Sequence, residues 1–200
     1  MRFLHTSDWH LGRPIRGISR QPEFEEALER VADIAEQEKV DALLISGDIF
    51  DTFSPPAEAE QLLYETLRRL VMGGIGVVSI AGNHDNAQHM DALSGLFKLA
   101  GIQSVGTLPS SSSGTTIDIA SRDRKETAVI AALPWVLERQ ALSMENLAQG
   151  IEKALLTYST GVESLMRAAS QAFRHDTANL LMGHMLIDGA APQEKDSGER

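Results

Sequence analysis

The chain has 200 residues, 42% of them hydrophobic, which is enough for one compact domain with a substantial core. It contains no cysteine, which excludes a disulfide framework, a zinc–thiolate site and a cysteine nucleophile, so any metal must be held by oxygen and imidazole nitrogen. The 18 Lys and Arg against 28 Asp and Glu give a net charge of −10, which repels polyanions except where a site holding divalent cations reverses the local field.

The first predicted strand, RFLHTS, runs into HTSDWH at 5–10, where two imidazoles and a carboxylate crowd the end of a buried segment. Burying a charge without a partner costs several kcal/mol, so Asp8 and His10 need a reason beyond packing. QPEFEEALERVADIAEQEK predicts a helix, with Phe24, Leu28, Val31 and Ala35 on one stripe and Pro22 in the first turn. VDALLIS follows as a buried strand, PPAEAEQLLYETLRRLVMGG as a helix opened by proline and closed by glycine, and IGVVSIAG as a third strand. This β-α-β-α-β alternation predicts a largely parallel sheet with helices on both faces.

QHMDALSGLFKLA at 88–100 predicts a short helix stopped by Gly101, and SSSSGTT at 110–116 a flexible connection. TTIDIA and TAVIAAL, separated by the charged SRDRKE, predict an antiparallel hairpin. A helical region from about Ser143 to Phe173 is expected to be interrupted at Gly150 and Gly161, and TANLLMGH to be one more strand. The last residues are polar and aperiodic, so 191–200 is expected to be a mobile tail after a domain spanning 1–190. No basic segment precedes a long apolar run, and no stretch approaches the roughly 18 apolar residues of a membrane span, so the expectation is a cytoplasmic protein without membrane contact.

Chemistry collects at the strand ends: Asp8-Trp9-His10 after the first, Gly47-Asp48-Ile49-Phe50-Asp51 after the second, Gly82-Asn83-His84-Asp85 after the third, and Gly183-His184 after the late one. In an open α/β sheet these ends converge on one crevice. Carboxylate, carboxamide and imidazole together suit Mn²⁺, Mg²⁺, Fe²⁺ or Zn²⁺. Capping by Asp and Asn is the plain alternative for such positions, and it leaves the histidines unexplained.

The four blocks, of pattern DxH, GDxxD, GNHD and GH in this order, resemble the calcineurin-like metallophosphoesterase superfamily. The resemblance implies a layered α/β/β/α sandwich, incomplete at its C-terminus, holding two divalent metal ions with Mn²⁺ foremost. It implies that Asp8 and His10 hold one ion, that Asp48 bridges both, and that Asn83 with His184 holds the second. His84 would face the scissile phosphate as proton donor or charge stabiliser, with Asp85 orienting it. The fuller strings HTSDWHLG, SGDIFDTFSPP and AGNHD look like the nuclease-subunit branch of that superfamily. That branch implies exonuclease and endonuclease action on DNA ends and hairpins in repair and recombination, a partner ATPase, and a homodimer within a heterotetramer.

Family members carry a further GHxH block, and none of the six histidines here sits in such a string. The expectation is therefore an N-terminal portion in which each metal lacks one ligand, with weakened binding. Among the remaining candidates, Asp51 is either a hydrogen-bond partner within the site or a turn residue. His5 is expected to be a core or supporting histidine, and His89 and His175, in helical patterns, to be structural. Trp9 is expected to pack, and Arg13, Arg16 and Arg20 lie where they could contact DNA phosphates. Two other readings stay open: a phosphoesterase for small substrates, and a non-catalytic dimerisation or docking module.

Overall fold

Alternate residues of the central strands face two different neighbours, and this dictates the layering. The computed structural model describes residues 1–108, 116–136 and 151–185. Strands β1 (Phe3–Thr6), β2 (Ala42–Ser46), β3 (Gly76–Ile80) and β4 (Ile102–Val105) form a parallel sheet in that order. They are linked by α1 (Gln21–Gln37), α2 (Ala57–Met72) and α3 (Ala87–Leu99). Strand β4 has no counterpart among the predicted elements, because Gln103 and Ser104 break up an apolar signal only four residues long.

The prediction of helices on both faces is corrected by the strand order. When each right-handed crossover steps in the same direction, every helix lands on the same face. Leu43, Ile45 and Val77 pack there against Leu28, Ala32, Leu63, Leu67 and Leu70 of α1 and α2. The alternate residues Ala42, Leu44, Val78 and Ile80 face the other way, onto Ile119, Ile130, Ala132 and Met182 of a second sheet. Each such side chain contributes about 1.5–3 kcal/mol by leaving water.

The second sheet contains β5 (Thr116–Ala120), β6 (Thr127–Leu133) and β7 (Ala178–Gly183), with β5 and β6 forming the expected hairpin and β7 added parallel to β6. Helix α4 (Ile151–Ala169) covers its outer side, where Val162 packs with Leu133 and Val136 and the Tyr158 hydroxyl donates to the Val136 carbonyl at 3.1 Å. The layers are thus α/β/β/α. Helix α4 runs through Gly161, whose cost of about 1 kcal/mol against alanine its packing absorbs. The expected break at Gly150, the start of that helical region, the 110–115 connection and the polar tail lie outside the described residues. His175 falls in an exposed turn before β7 and not in a helix. Among the described residues no helix is long and apolar enough to cross a membrane.

Candidate metal centre

The carboxyl ends of β1, β2 and β3 turn sharply, and the turns carry the candidate ligands. Asp8 (φ 57°), His10 (φ 46°) and Asp48 (φ 51°) all adopt the left-handed conformation, as does Gly47 at φ 91°. That conformation costs a non-glycine residue roughly 1–2 kcal/mol and persists only when the surroundings over-determine it. Here three backbone hydrogen bonds do so: Asp8 N–H to Gly47 O at 3.1 Å, His10 N–H to Asp48 O at 3.0 Å and Leu11 N–H to Ile49 O at 2.9 Å. They lock the two loops together beyond the strand ends.

Asp48, only 2% exposed, lies at the middle of the arrangement. Its Oδ1 accepts the His84 N–H at 3.0 Å, while Oδ2 lies 3.5 Å from His184 Nε2 and 3.8 Å from His10 Nε2. Two donor clusters result, His10–Asp48–His84 and Asp8–Asp48–His184, each with ligand atoms within 4.8 Å of one another. Asp48 belongs to both.

His184 shows why a cation fits. Its Nδ1 lies 2.7 Å from the Ser46 carbonyl, which can only accept, so the proton sits on Nδ1 and the Nε2 lone pair is turned inward. That lone pair meets Asn83 Oδ1 at 3.1 Å and Asp48 Oδ2 at 3.5 Å. Three electron-rich atoms facing each other require a positive charge between them. The set of carboxylate, carboxamide and imidazole suits a divalent first-row ion or Mg²⁺.

Without the ion, a proton serves instead. Burial disfavours charge on His184, but the hydrogen bonds to Asp48 and the Ser46 carbonyl and the charges of Asp48 and Asp8 push its pKa up to about 9. Burial likewise opposes ionisation of Asp48, and the bonds from His184 and the His84 amide outweigh it, holding the carboxyl below its usual range. A raised imidazole pKa stabilises the fold fully below about 6.5, and the contribution is lost as pH rises through about 9. Metal must displace that proton. Titration with Mn²⁺ is therefore expected to release a proton from this imidazole at pH 7.5 and to tighten as pH rises towards 9, as read by calorimetry in buffers of differing ionisation enthalpy.

Two glycines permit the close approach. A methyl group on Gly82 would overlap the Asp48 carboxylate and backbone nitrogen, and one on Gly47 would lie 2.6 Å from His184 Nδ1. Both positions require the absence of a side chain.

The expected role of Asp85 is corrected. Buried to 2% exposure, its carboxylate accepts the N–H groups of Gly82 (2.8 Å), Phe50 (3.0 Å) and Ile49 (3.2 Å). Burial, outweighing these bonds, raises its pKa. The His84 ring is held instead through Nδ1, 2.8 Å from the Asp51 carbonyl oxygen, and it packs edge-on to His10 at 4.9 Å. Asp85 is thus a positioning residue that pins the Asp48 loop to the His84 loop.

Asp51 belongs to the site, with Oδ1 3.4 Å from His10 Nδ1 and 3.7 Å from Arg13 Nε. Arg16 is exposed between Ile15 and Ile18, which pair across a two-residue turn. Arg20 is engaged with Glu23 and the Phe24 ring. His5 lies on an exposed position of β1, 2.9 Å from the Ser46 hydroxyl, and so supports the residue whose carbonyl orients His184. Trp9 packs against the helix-side core and donates to Thr6 Oγ1 at 2.8 Å. His89 sits between α3 and α2, 3.7 Å from Glu60. The sequence reading missed the carbonyls of Ser46 and Asp51, and Trp135, whose ring stands 6.0 Å from that of His184.

The profile of the calcineurin-like phosphoesterase family matches residues 1–190. The chain belongs to this family. The phosphoesterase is similar to the SbcD subunit of the nuclease SbcCD from Bacillus subtilis (strain 168), 35% identical over 192 residues that make up 94% of this chain and 48% of the relative. It is 36% identical to the protein of that name from Rhodobacter capsulatus over 184 residues, 88% of this chain and 43% of the relative. The Escherichia coli K12 relative is 32% identical over 153 residues, 76% of this chain and 37% of its own. The phosphoesterase chain thus spans less than half the length of these curated relatives.

Proposed function

We propose that this phosphoesterase is the catalytic domain of a Mn²⁺-dependent DNA nuclease that hydrolyses phosphodiesters at DNA ends and hairpins alongside an SbcC-type ATPase. The observation that carries the reading is the buried Asp48 carboxylate shared by two donor clusters, and the names of the similar nuclease subunits supply the substrate. Asp8 and His10 would hold one ion, Asn83 and His184 the other, and Asp48 both. When bound, such a pair supplies Lewis-acid charge to the phosphoryl oxygens and makes water a competent nucleophile near neutral pH.

The chain's own residues do the rest. Asp85 holds two loops in register, Ser46 fixes the tautomer of His184, and the Asp51 carbonyl fixes that of His84, leaving His84 Nε2 for the leaving oxygen. Arg13 and exposed Arg16 would take DNA phosphates beside the site, partly offsetting the net charge of −10. The test is Mn²⁺ stoichiometry together with cleavage of linear duplex and hairpin DNA. Two ions per chain with turnover of small phosphodiesters but not DNA would shift the reading to a small-substrate phosphoesterase. A protein binding no ion would leave only a docking module.

A specific observation favours a second role for His84, since its ring nitrogen falls within the His10–Asp48 cluster. His84→Ala is expected to keep two Mn²⁺ per chain and to lower kcat by about 10²–10⁴-fold, the range for a lost proton donor. Loss of one ion equivalent would make His84 a ligand instead.

The same reading includes a homodimer. An apolar groove of about 610 Å³ runs between α2 and α3, lined by Tyr64, Leu67, Val71, Leu93 and Phe97, with Leu99 87% exposed beside it. A second copy would cover it. Leu99→Glu is expected to convert a dimer to a monomer in sedimentation or light scattering while the Mn²⁺ stoichiometry stays unchanged.

A further inference from the structure

We infer that Phe53 is a stacking platform for a nucleobase next to the scissile phosphate, a specificity-determining residue of the metal centre; the inference rests on the nuclease reading above. Phe53 is 62% exposed and belongs to none of the apolar clusters of the described residues. An exposed phenyl ring gives nothing to the core, so its value to the protein lies elsewhere.

Its loop is tied down on both sides. Two residues earlier, the Asp51 carbonyl oxygen accepts from His84 Nδ1 at 2.8 Å, and the Asp51 carboxylate lies 3.4 Å from His10 Nδ1. The carbonyl of Phe53 itself accepts from Asn86 Nδ2 at 3.4 Å, and Thr52 Oγ1 donates to the Ser54 carbonyl at 3.2 Å. Pro55 and Pro56 follow, with Pro56 extended at φ −61°, ψ 146° immediately before α2. Proline limits the backbone there, so the ring is presented from a pre-ordered segment and little entropy is lost on binding.

The neighbours supply the complementary chemistry. Arg13, its Nε 3.7 Å from Asp51, brings a guanidinium to the same loop. An aromatic face beside a cation and a phosphate-binding centre is the combination that holds a single-stranded nucleotide: the base stacks, the backbone is neutralised, and sequence is tolerated because every base has a π-face. A substrate without a base leaves that ring in water.

The experiment is a cycle in the natural-length protein loaded with Mn²⁺, comparing wild type, Phe53→Ala and Phe53→Trp on an oligonucleotide and on versions carrying one abasic site scanned across the cleavage position. Phe53→Ala is expected to lower kcat/KM about tenfold on intact DNA. Phe53→Trp should recover most of that loss, and an abasic site at the stacking position should erase the difference between wild type and Phe53→Ala. Melting temperature and ion stoichiometry should be unchanged. An equal loss on intact and abasic DNA, or no loss at all, overturns the inference while leaving the nuclease reading intact. If wild type binds two ions but cuts no DNA, the nuclease reading fails, and binding of an oligonucleotide containing 2-aminopurine then decides on stacking. Quenching by wild type and not by Phe53→Ala upholds it, and equal fluorescence overturns it.

Discussion

Asp48→Asn is expected to abolish metal loading with little damage to the metal-free fold. Asparagine has the same shape, and its amide oxygen can still accept the His84 N–H that Oδ1 now receives at 3.0 Å. What disappears is the negative charge that faces His184 at 3.5 Å and His10 at 3.8 Å. Both donor clusters share this one carboxylate, so both ions should weaken together, and kcat/KM should fall by at least about 10³-fold. The proton on His184 loses its main partner as well, so the stability lost between about pH 6.5 and 9 in the metal-free protein should shrink. Metal analysis after dialysis, turnover on the preferred diester and thermal melts across that pH range check all three outcomes. Full activity in Asp48→Asn would remove the shared carboxylate from the mechanism.

Gly82→Ala is expected to be the most damaging single methyl in the chain. The new Cβ would overlap the Asp48 carboxylate and backbone nitrogen, both fixed by the hydrogen bonds that lock the two loops. Relief requires moving the loop, and overpacking of this kind costs about 1–3 kcal/mol or more. The fold should therefore lose several degrees in melting temperature, and Mn²⁺ binding should fall further than stability alone explains. Gly183→Ala is the control. Its nearest encounter is Met185 Cε at 2.6 Å, the tip of a flexible side chain that can swing away. Equal effects at Gly82 and Gly183 would show that the crowding at Asp48 is not what demands a glycine.

The ligand blocks were legible in the sequence because each stands just after a run of strand-forming residues, and strand ends of a parallel sheet meet at one edge. Asp8, His10, Asp48, Asn83 and His184 do converge as that logic requires. The side on which the helices lie was not legible. Alternation of strand and helix is the same whether successive strands step one way or both, and only the order β1-β2-β3-β4 settles it. Asp85 misled for a related reason: adjacency to His84 suggested contact, whereas in a tight turn neighbouring side chains diverge and this one is buried among backbone amides. The Ser46 and Asp51 carbonyls carry no residue-type signal at all, since any amino acid there offers the same oxygen.

The bond from His184 to the Ser46 carbonyl joins residues 138 positions apart. A chain emerging from the ribosome finishes its parallel sheet long before the imbalance of negative groups around Asp48 receives its late imidazole, and closing so long a loop is among the slower steps available to a folding polypeptide. Hydrolytic competence is therefore acquired late. A half-made molecule carries carboxylates without the imidazole that completes the second cluster, and the nascent protein stays harmless to nearby phosphodiesters until β7 has docked.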